Sequence, residues 1–347
     1  MEEKEHKRRV RYSGTHPKEF RDKYKELEPE KYADDVEKII NSGKTPAGTH
    51  RSICVNEILE FLQIVPGQIG LDATLGYGGH TLEMLKCLDH KGKLYAIDVD
   101  PLELPKTRER LENLGYGSDI LEIQQMNFSD IDRIALEAGA LDFVLADLGV
   151  SSMQIDNPER GFSFKTDGPL DLRLNPERGE SAADRLKTIS QDELAGMLEE
   201  NADEPHAAEI AKAIISVREK GIEIATTSQL KHIIANALMF LPIKDRDIEV
   251  KKACQRCFQA LRIDVNSEFE VLHEFLEKLP EVLATGGRVA ILSFHSGEDR
   301  LVKKSFKRFL NEGVYSEISP EPIRPTPEEC SANSRARSAK LRWAIKA

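Results

Sequence analysis

From residue 55 onward the apolar positions alternate between two rhythms. Residues 55–62 space them as a helix does and stop at Pro66-Gly67. Residues 69–74 form a short, continuous apolar run feeding a glycine-rich segment. A helical stretch at 80–88 follows, then an apolar run at 94–99 with Asp98 near its end. The alternation continues with a helix before Leu114-Gly115, a strand at 121–125, a helix after Ser129 and a strand at 141–145 leading into Ala146-Asp147. Strands at this spacing, separated by helices, predict a parallel sheet built from β-α-β units.

After Asp147 the rhythm breaks. Residues 155–174 are rich in Gly, Pro and Asp and read as loop, while 181–241 carry only helical patterns. Ser190 and Glu193 have capping-box spacing ahead of Leu194, Met197 and Leu198. Apolar residues recur at helical spacing over 207–217 and 229–241. A helix at 269–283 and strands at 287–294 and 341–345 resume the earlier pattern. The expected fold is α/β and Rossmann-like, with a mostly parallel sheet interrupted by an all-helical inserted domain. The sheet domain is assigned to 46–154 and 251–347, the insertion to 155–250, and a charged N-terminal extension to 1–45.

Composition narrows the class. No apolar run approaches the roughly 18 residues of a membrane span. The N-terminus, Met1-Glu2-Glu3-Lys4-Glu5-His6, has no apolar stretch behind it, so a secretory signal is not expected and a cytoplasmic location is. The net charge of −11 does not advertise a nucleic-acid binder, but its distribution is uneven. Basic residues gather at Lys7-Arg8-Arg9-Val10-Arg11, at Arg300, Lys303, Lys304, Lys307 and Arg308, and at Arg335, Arg337, Lys340 and Arg342. Each run alone reads as a solvated face, whereas two basic ends folded together would make a phosphate-binding surface. The cysteines, Cys54, Cys87, Cys254, Cys257 and Cys330, are irregularly spaced, which argues against a disulfide framework. Cys254-Gln255-Arg256-Cys257 is a single CxxC with no second ligand pair nearby. Two half-buried thiols are expected there, and no metal.

The stretch Asp72-Ala73-Thr74-Leu75-Gly76-Tyr77-Gly78-Gly79-His80 sits between strand and helix, where glycine lets backbone approach a ligand closely. Asp98 ends the next strand, where an acid can accept hydrogen bonds from ribose hydroxyls. Nicotinamide and S-adenosylmethionine binders share this layout. The sixth position counted from Gly76 is Thr81 rather than the glycine of a dinucleotide fingerprint, which favours S-adenosylmethionine. Asp72 can meet the cationic methionine end of that cofactor, or cap the loop. Phe128 follows the third strand, where it can stack on adenine or pack in the core. Asp147 closes the fourth strand at the edge where open α/β sheets bind ligands. An exocyclic amine is a poor nucleophile and needs an acceptor that hydrogen-bonds it and removes its proton. Asp147 matches the first position of the amino-methyltransferase pattern, although the Pro-Pro-aromatic part is absent. No cysteine lies in this loop, which disfavours methylation at cytosine C5. His295, in Ser293-Phe294-His295-Ser296, can hold or deprotonate the amine, or cap the next helix. Phe162 and Phe164 can stack an extruded base or anchor the long loop to the insertion.

The segments Asp147–Asp156, Glu159–Phe164, Asp167–Arg173, Phe258–Ile263, Ser293–Arg300 and Arg335–Arg342 together resemble the 16S rRNA (cytosine N4)-methyltransferase H family. The likeness runs in the family's order from about His50 to Ile345. It implies a class I methyltransferase domain interrupted by a helical substrate-recognition domain, and methyl transfer to N4 of a decoding-centre cytidine. The implied cofactor is S-adenosyl-L-methionine, held by Gly78, Gly79, His80, Asp98, Phe128, Asp147 and Gln154. From the residues alone, Gln154 reads as an ordinary loop residue. The catalytic candidates are Asp147, Ser152 and His295, with Ser151 a further amine acceptor if Asp147 serves the cofactor. The implied partner is 16S rRNA in the small ribosomal subunit, with no membrane and with room for a homodimer. Alternatives are an amino-methyltransferase on another RNA or DNA, a noncatalytic RNA-binding assembly factor and, disfavoured by the glycine spacing, a dehydrogenase.

Four features depart from the family pattern. The N-terminal extension is additional, and Gly297 stands where Leu is usual. Lys252-Ala253-Cys254-Gln255-Arg256 replaces a segment usually reading Pro-Ala-Thr-Arg, and Ala202-Asp203-Glu204 alters the usual Gly-Glu-Glu.

Overall fold

The computed structural model describes residues 52–347. The extension at 1–45 and its basic run Lys7–Arg11 lie outside the described residues. Helix α1 (Val55–Leu62) leads into β1 (Ile69–Asp72), α2 (Gly79–Leu88), β2 (Lys93–Asp98), α3 (Leu104–Asn113), β3 (Leu121–Gln125), α4 (Ile131–Ala138) and β4 (Leu141–Asp147). Helices follow without a strand: α5 (Ser152–Asp156), α6 (Ala182–Thr188), α7 (Gln191–Ala202), α8 (Ala207–Glu219), α9 (Thr227–Ala237), α10 (Ile243–Asn266) and α11 (Glu268–Val282). The chain closes with β5 (Leu283–Ser293), α12 (Ser296–Asn311), β6 (Tyr315–Ile318), α13 (Pro327–Ala332) and β7 (Lys340–Lys346).

The seven strands form one sheet in the order β3-β2-β1-β4-β5-β7-β6. Strands β1 to β5 pair in parallel, and β7 runs antiparallel to both of its neighbours. This is the Rossmann-like α/β sheet expected from the alternating pattern. Its order reverses between β1 and β4, so their carboxyl ends open a crevice. Asp72 and Asp147 stand at those two ends, and Asp98 at the end of the adjoining β2.

Strand residues alternate between two apolar layers because successive side chains point to opposite faces. Tyr95, Ile97, Val144, Val289 and Ile291 meet α4, α11 and α12 on one face. Leu94, Ala96, Phe143, Leu145 and Ala290 meet α1, α2 and α3 on the other. A third apolar cluster runs from Leu170 to Leu261 and is built by the helices between β4 and β5. The 24-residue helix α10 passes through the 250/251 boundary drawn from the sequence and feeds that cluster with Ala253, Cys254, Cys257, Phe258 and Leu261.

Three details differ from the sequence expectations. Ser190 accepts from the backbone of Glu193, but the reciprocal half of the capping box is not formed. Strand β6 has only four residues at the sheet edge, two of them exposed, and no apolar run announces it. Cys254 and Cys257 are fully buried rather than half-buried, and burial pushes both thiols up, Cys254 to about 11.

Gly70 in β1 lies against the fully buried Phe143 of β4, where an added Cβ would run into the ring. Replacing Gly70 by Ala is expected to lower the melting temperature through an overpacking cost of about 1–3 kcal/mol. Adding Phe143→Leu should recover most of the loss; a melt of the single variant at the wild-type temperature would remove this packing constraint.

Candidate active site

The glycine loop after β1 is pinned from beneath. Asp72 is buried; one of its carboxylate oxygens accepts from Thr74 N (3.1 Å) and the other from Thr81 Oγ1 (2.6 Å). These are the contacts of a loop-bracing acid, and burial raises its pKa. Gly76 N donates to Asp98 Oδ2 (2.7 Å), while the Gly76 carbonyl accepts from Thr107 Oγ1 (2.7 Å). Gly78 adopts φ 73° as the N-cap of α2, a conformation glycine enters without Cβ strain. The first-turn amides of α2, at Gly79 and His80, therefore face the crevice end of the helix with no carbonyl four residues back to receive them.

Asp98 accepts one backbone N–H on each oxygen, from Gly76 and, at 2.9 Å, from Asp100. Each oxygen retains acceptor capacity. Burial pushes its pKa up to about 6 against the opposing pull of those two amides. Two residues on, Asp100 is 1% exposed and pairs with Arg160, whose side chain is 5% exposed, at 2.7 Å. The same oxygen accepts from Gln154 Nε2 (2.7 Å). Arg160 also donates to the carbonyls of Arg173 and Leu174 (3.1 and 2.8 Å). Gln154 forms a reciprocal capping box with Ser151 at the start of α5. No local pattern marks Gln154 or Asp100 as site residues, because their partners lie 54 and 60 residues away.

Asp147 ends β4, with its backbone N donating to Thr74 Oγ1 (2.6 Å). Its Oδ2 lies 3.4 Å from His80 Nδ1, and its Oδ1 is buried with no hydrogen-bond partner among the described residues. His80 Nε2 is 2.9 Å from the Ile53 carbonyl. A carbonyl only accepts, so Nε2 carries the proton and Nδ1 turns toward Asp147. Burial pushes the Asp147 carboxyl up to about 6, opposed by His80 and assisted by Asp72 and Glu298.

Beside Asp147, β5 hands over to α12 through Ser293-Phe294-His295-Ser296. His295 is the helix cap: Nδ1 accepts from Glu298 N (3.4 Å), and Glu298 accepts from Phe294 N and His295 N (2.8 and 3.3 Å). His295 Nε2 lies 3.1 Å from Glu298 Oε1. Glu268 converges on the same place, but Arg262 binds both of its oxygens at 2.8 and 2.9 Å. Gly297, where the family pattern has Leu, leaves room for the Phe269 ring, which an added Cβ would strike. Ser152, the first residue of α5, is half-exposed and makes no side-chain hydrogen bond among the described residues.

Phe128 is half-buried with its edge on Phe275, ring centroids 5.2 Å apart, so it both packs and presents surface to the crevice end of β3. Phe162 and Phe164 pack against the helical cluster, Phe164 edge-on to Phe258 at 5.4 Å, which are contacts of loop anchors. Arg335 pairs with Asp156 (3.1 Å) and Lys340 with Asp299 (2.8 Å), while Arg337 is exposed.

Replacing Arg160 by Met would leave Asp100 buried beside Gln154 without its cation, at a cost of about 3–5 kcal/mol. The double variant Asp100→Asn with Arg160→Met should regain most of that stability. Thermal melts of the two variants measure the difference, and equal losses in both would mean the pair carries no coupling.

Residues 47–347 match the profile of the MraW methylase family. Ribosomal RNA small subunit methyltransferase H 2 of Alkaliphilus metalliredigens is 75% identical, covering 99% of each chain. Ribosomal RNA small subunit methyltransferase H 1 of Lachnoclostridium phytofermentans is 68% identical, covering 99% of this chain and 93% of its own. Ribosomal RNA small subunit methyltransferase H 1 of Agathobacter rectalis is 62% identical over 100% of this chain and 99% of its own. With the parallel sheet, the pinned glycine loop and the acids at three strand ends already in place, the chain belongs to the MraW methylase family.

Proposed function

We propose that the protein transfers a methyl group from S-adenosyl-L-methionine to N4 of a cytidine in the decoding centre of 16S rRNA, acting on the small ribosomal subunit in the cytoplasm. The observation that carries the chemistry is the partnerless, buried Oδ1 of Asp147 at the point where the strand order reverses. A buried acceptor without a donor is costly unless a ligand supplies one.

The surrounding residues fit the cofactor. The first-turn amides at Gly79 and His80 suit its carboxylate, as helix N-termini suit anions generally. Asp98 has capacity left on both oxygens for ribose hydroxyls, and Phe128 offers a half-exposed ring for adenine. Gln154 acts through Asp100 rather than from a free loop, positioning the turn that carries Asp98. When bound, S-adenosyl-L-methionine supplies an electrophilic methyl group on a sulfonium sulfur.

Asp147 is the amine acceptor in this reading. A hydrogen bond from N4 to the Asp147 carboxylate would localise the amine lone pair, and Asp147 would take the N4 proton as the amine is methylated. A carboxyl near 6 is ionised at neutral pH yet more basic than an ordinary aspartate. His80 Nδ1, facing Oδ2, lets that proton settle between the two side chains. His295 holds the rim as a helix cap, and Ser152 lies at the mouth as a hydroxyl contact for substrate. The helices of 155–250 serve as the substrate-recognition domain, consistent with their own apolar cluster.

Labelled methyl transfer to unmethylated 30S subunits, followed by nucleoside mass spectrometry, is expected to yield N4-methylcytidine. Asp147→Asn should lower kcat by about 10²–10⁴-fold, the scale of a lost general base. Product on another nucleoside, or none on any RNA despite cofactor binding, would sink the assignment. Cofactor affinity should also weaken as pH falls through about 6, because protonating Asp98 removes its strongest acceptor form. Calorimetric titrations across that range test this, and Asp98→Asn should flatten the dependence.

A further inference from the structure

Helix α12 begins at the rim of the proposed active site and runs back along the sheet. Its inward face is fixed by the buried Val302, Ser305 and Phe306, which pack into the layer formed with α11. That packing leaves Arg300, Lys303, Lys304 and Lys307 exposed. Their spacing is i, i+3, i+4 and i+7, the positions that share one side of a helix. None of the four forms an ion pair among the described residues, whereas Arg308 on the same helix is bound by Glu277.

The acid that directly precedes the stripe in sequence is already paired. Asp299 is held by Lys340 (2.8 Å) and Arg342 (2.6 Å) from β7. A groove beside the stripe has an apolar floor of Phe306, Leu310, Ile318 and Pro320 and a polar margin of Lys303, Lys307, Asn311, Ser319 and Arg342, with no carboxylate in its lining. In a chain of net charge −11, the helix thus presents four cations on one face that have no ion pair among the described residues. The stripe spans about 10 Å along the helix axis, counted at 1.5 Å per residue.

We infer that the outer face of α12 is a phosphate-binding track that holds the RNA backbone flanking the target nucleotide. The inference rests on the RNA substrate proposed above and adds where the chain grips it. Lysines on flexible stems suit this role, because phosphate contacts fix register without reading sequence. The helix cap at His295 then places one end of the track within a few residues of the edge that carries Asp147.

The test compares wild type with the triple variant Lys303→Gln, Lys304→Gln, Lys307→Gln. A control, Lys91→Gln, removes an exposed lysine from the loop before β2. Affinity for a single-stranded RNA of the decoding-centre sequence is measured over a salt series, together with KM for unmethylated 30S subunits. Losing three phosphate contacts should lower the slope of log affinity against log salt by about 2, at roughly 0.7 per single-strand phosphate. KM should rise several-fold, while S-adenosylmethionine affinity and the melting temperature hold and the control matches wild type. An unchanged slope in a folded, cofactor-binding triple variant overturns the track, and so does an equal loss in the control. So does lost binding to phosphatidylglycerol vesicles with RNA binding intact, which would assign the stripe to a membrane surface. If wild type methylates 30S subunits and the slope is unchanged, only the track fails. If wild type methylates no RNA, the substrate reading fails first.

Discussion

A carboxylate buried to 1% exposure needs donors or a cation to offset its lost hydration, and Asp100 has Arg160, 60 residues further along the chain. Most of the site hangs from this pairing. Asp100 donates its backbone N–H to Asp98, so the turn that sets the Asp98 carboxylate is also the turn that holds the ion pair. Arg160 uses its remaining donors on the carbonyls of Arg173 and Leu174, and Leu174 N is held in turn by Asn266 near the end of α10. One buried pair thus connects the end of β2, the loop after α5 and the helical cluster. Removing either partner strands the other in a low-dielectric interior, which is why such pairs are costly to break even where they add little net stability.

The crevice concentrates negative charge for a reason the fold imposes. Strands β1, β2 and β4 are parallel neighbours, so acids ending each of them converge at one edge. Burial raises Asp72, Asp98 and Asp147 alike, and Asp72 adds to the rise of the other two. Such an edge favours a cationic ligand, and the proposed cofactor carries a sulfonium and an ammonium against one carboxylate. Asp72 and Asp98 satisfy themselves partly with loop donors, whereas Asp147 Oδ1 has none among the described residues. Asp98 keeps part of its acceptor capacity for a ligand, and Asp147 keeps one buried oxygen wholly unused.

The sheet was legible because its strands are apolar runs flanked by helical periodicity, and β1 to β4 lie where that pattern places them. Strand β6 was not, since Tyr-Ser-Glu-Ile at an edge buries one side chain and exposes two. Helix α10 was hidden for a different reason. Its first half is charged and exposed, and its buried half relies on small residues such as Ala253, Cys254 and Cys257 that make weak periodic signals. In the site, residues at strand ends could be read from position, whereas Asp100 and Arg160 could not, because only tertiary contact gives their charges meaning. His295 was read as either catalyst or cap, and its Nδ1 contact with Glu298 N is that of a cap. The resemblance flagged Gln154 as a cofactor residue; in the structure it closes a capping box and donates to Asp100.

The three departures within the described residues gather along one seam. Arg256, in the altered Lys252–Arg256 segment, binds Glu204 of the altered Ala202–Glu204 segment at 2.7 and 3.3 Å, and Glu204 is buried. Asp203 accepts from Ser296 at the start of α12 (3.4 Å), one residue before Gly297. Gly297 in turn yields its volume to Phe269 at the start of α11. Segments far apart in sequence therefore meet between the helices after β4 and the rim at His295, joined by Glu204 and Arg256, the residues of each segment that match the family pattern. The Phe269 ring fills the space beside Gly297. None of these residues is a hydrogen-bond partner of Asp98, Asp100 or Asp147 among the described residues. A chain can rebuild the wall of such a crevice while leaving its acidic edge, and the chemistry proposed for it, in place.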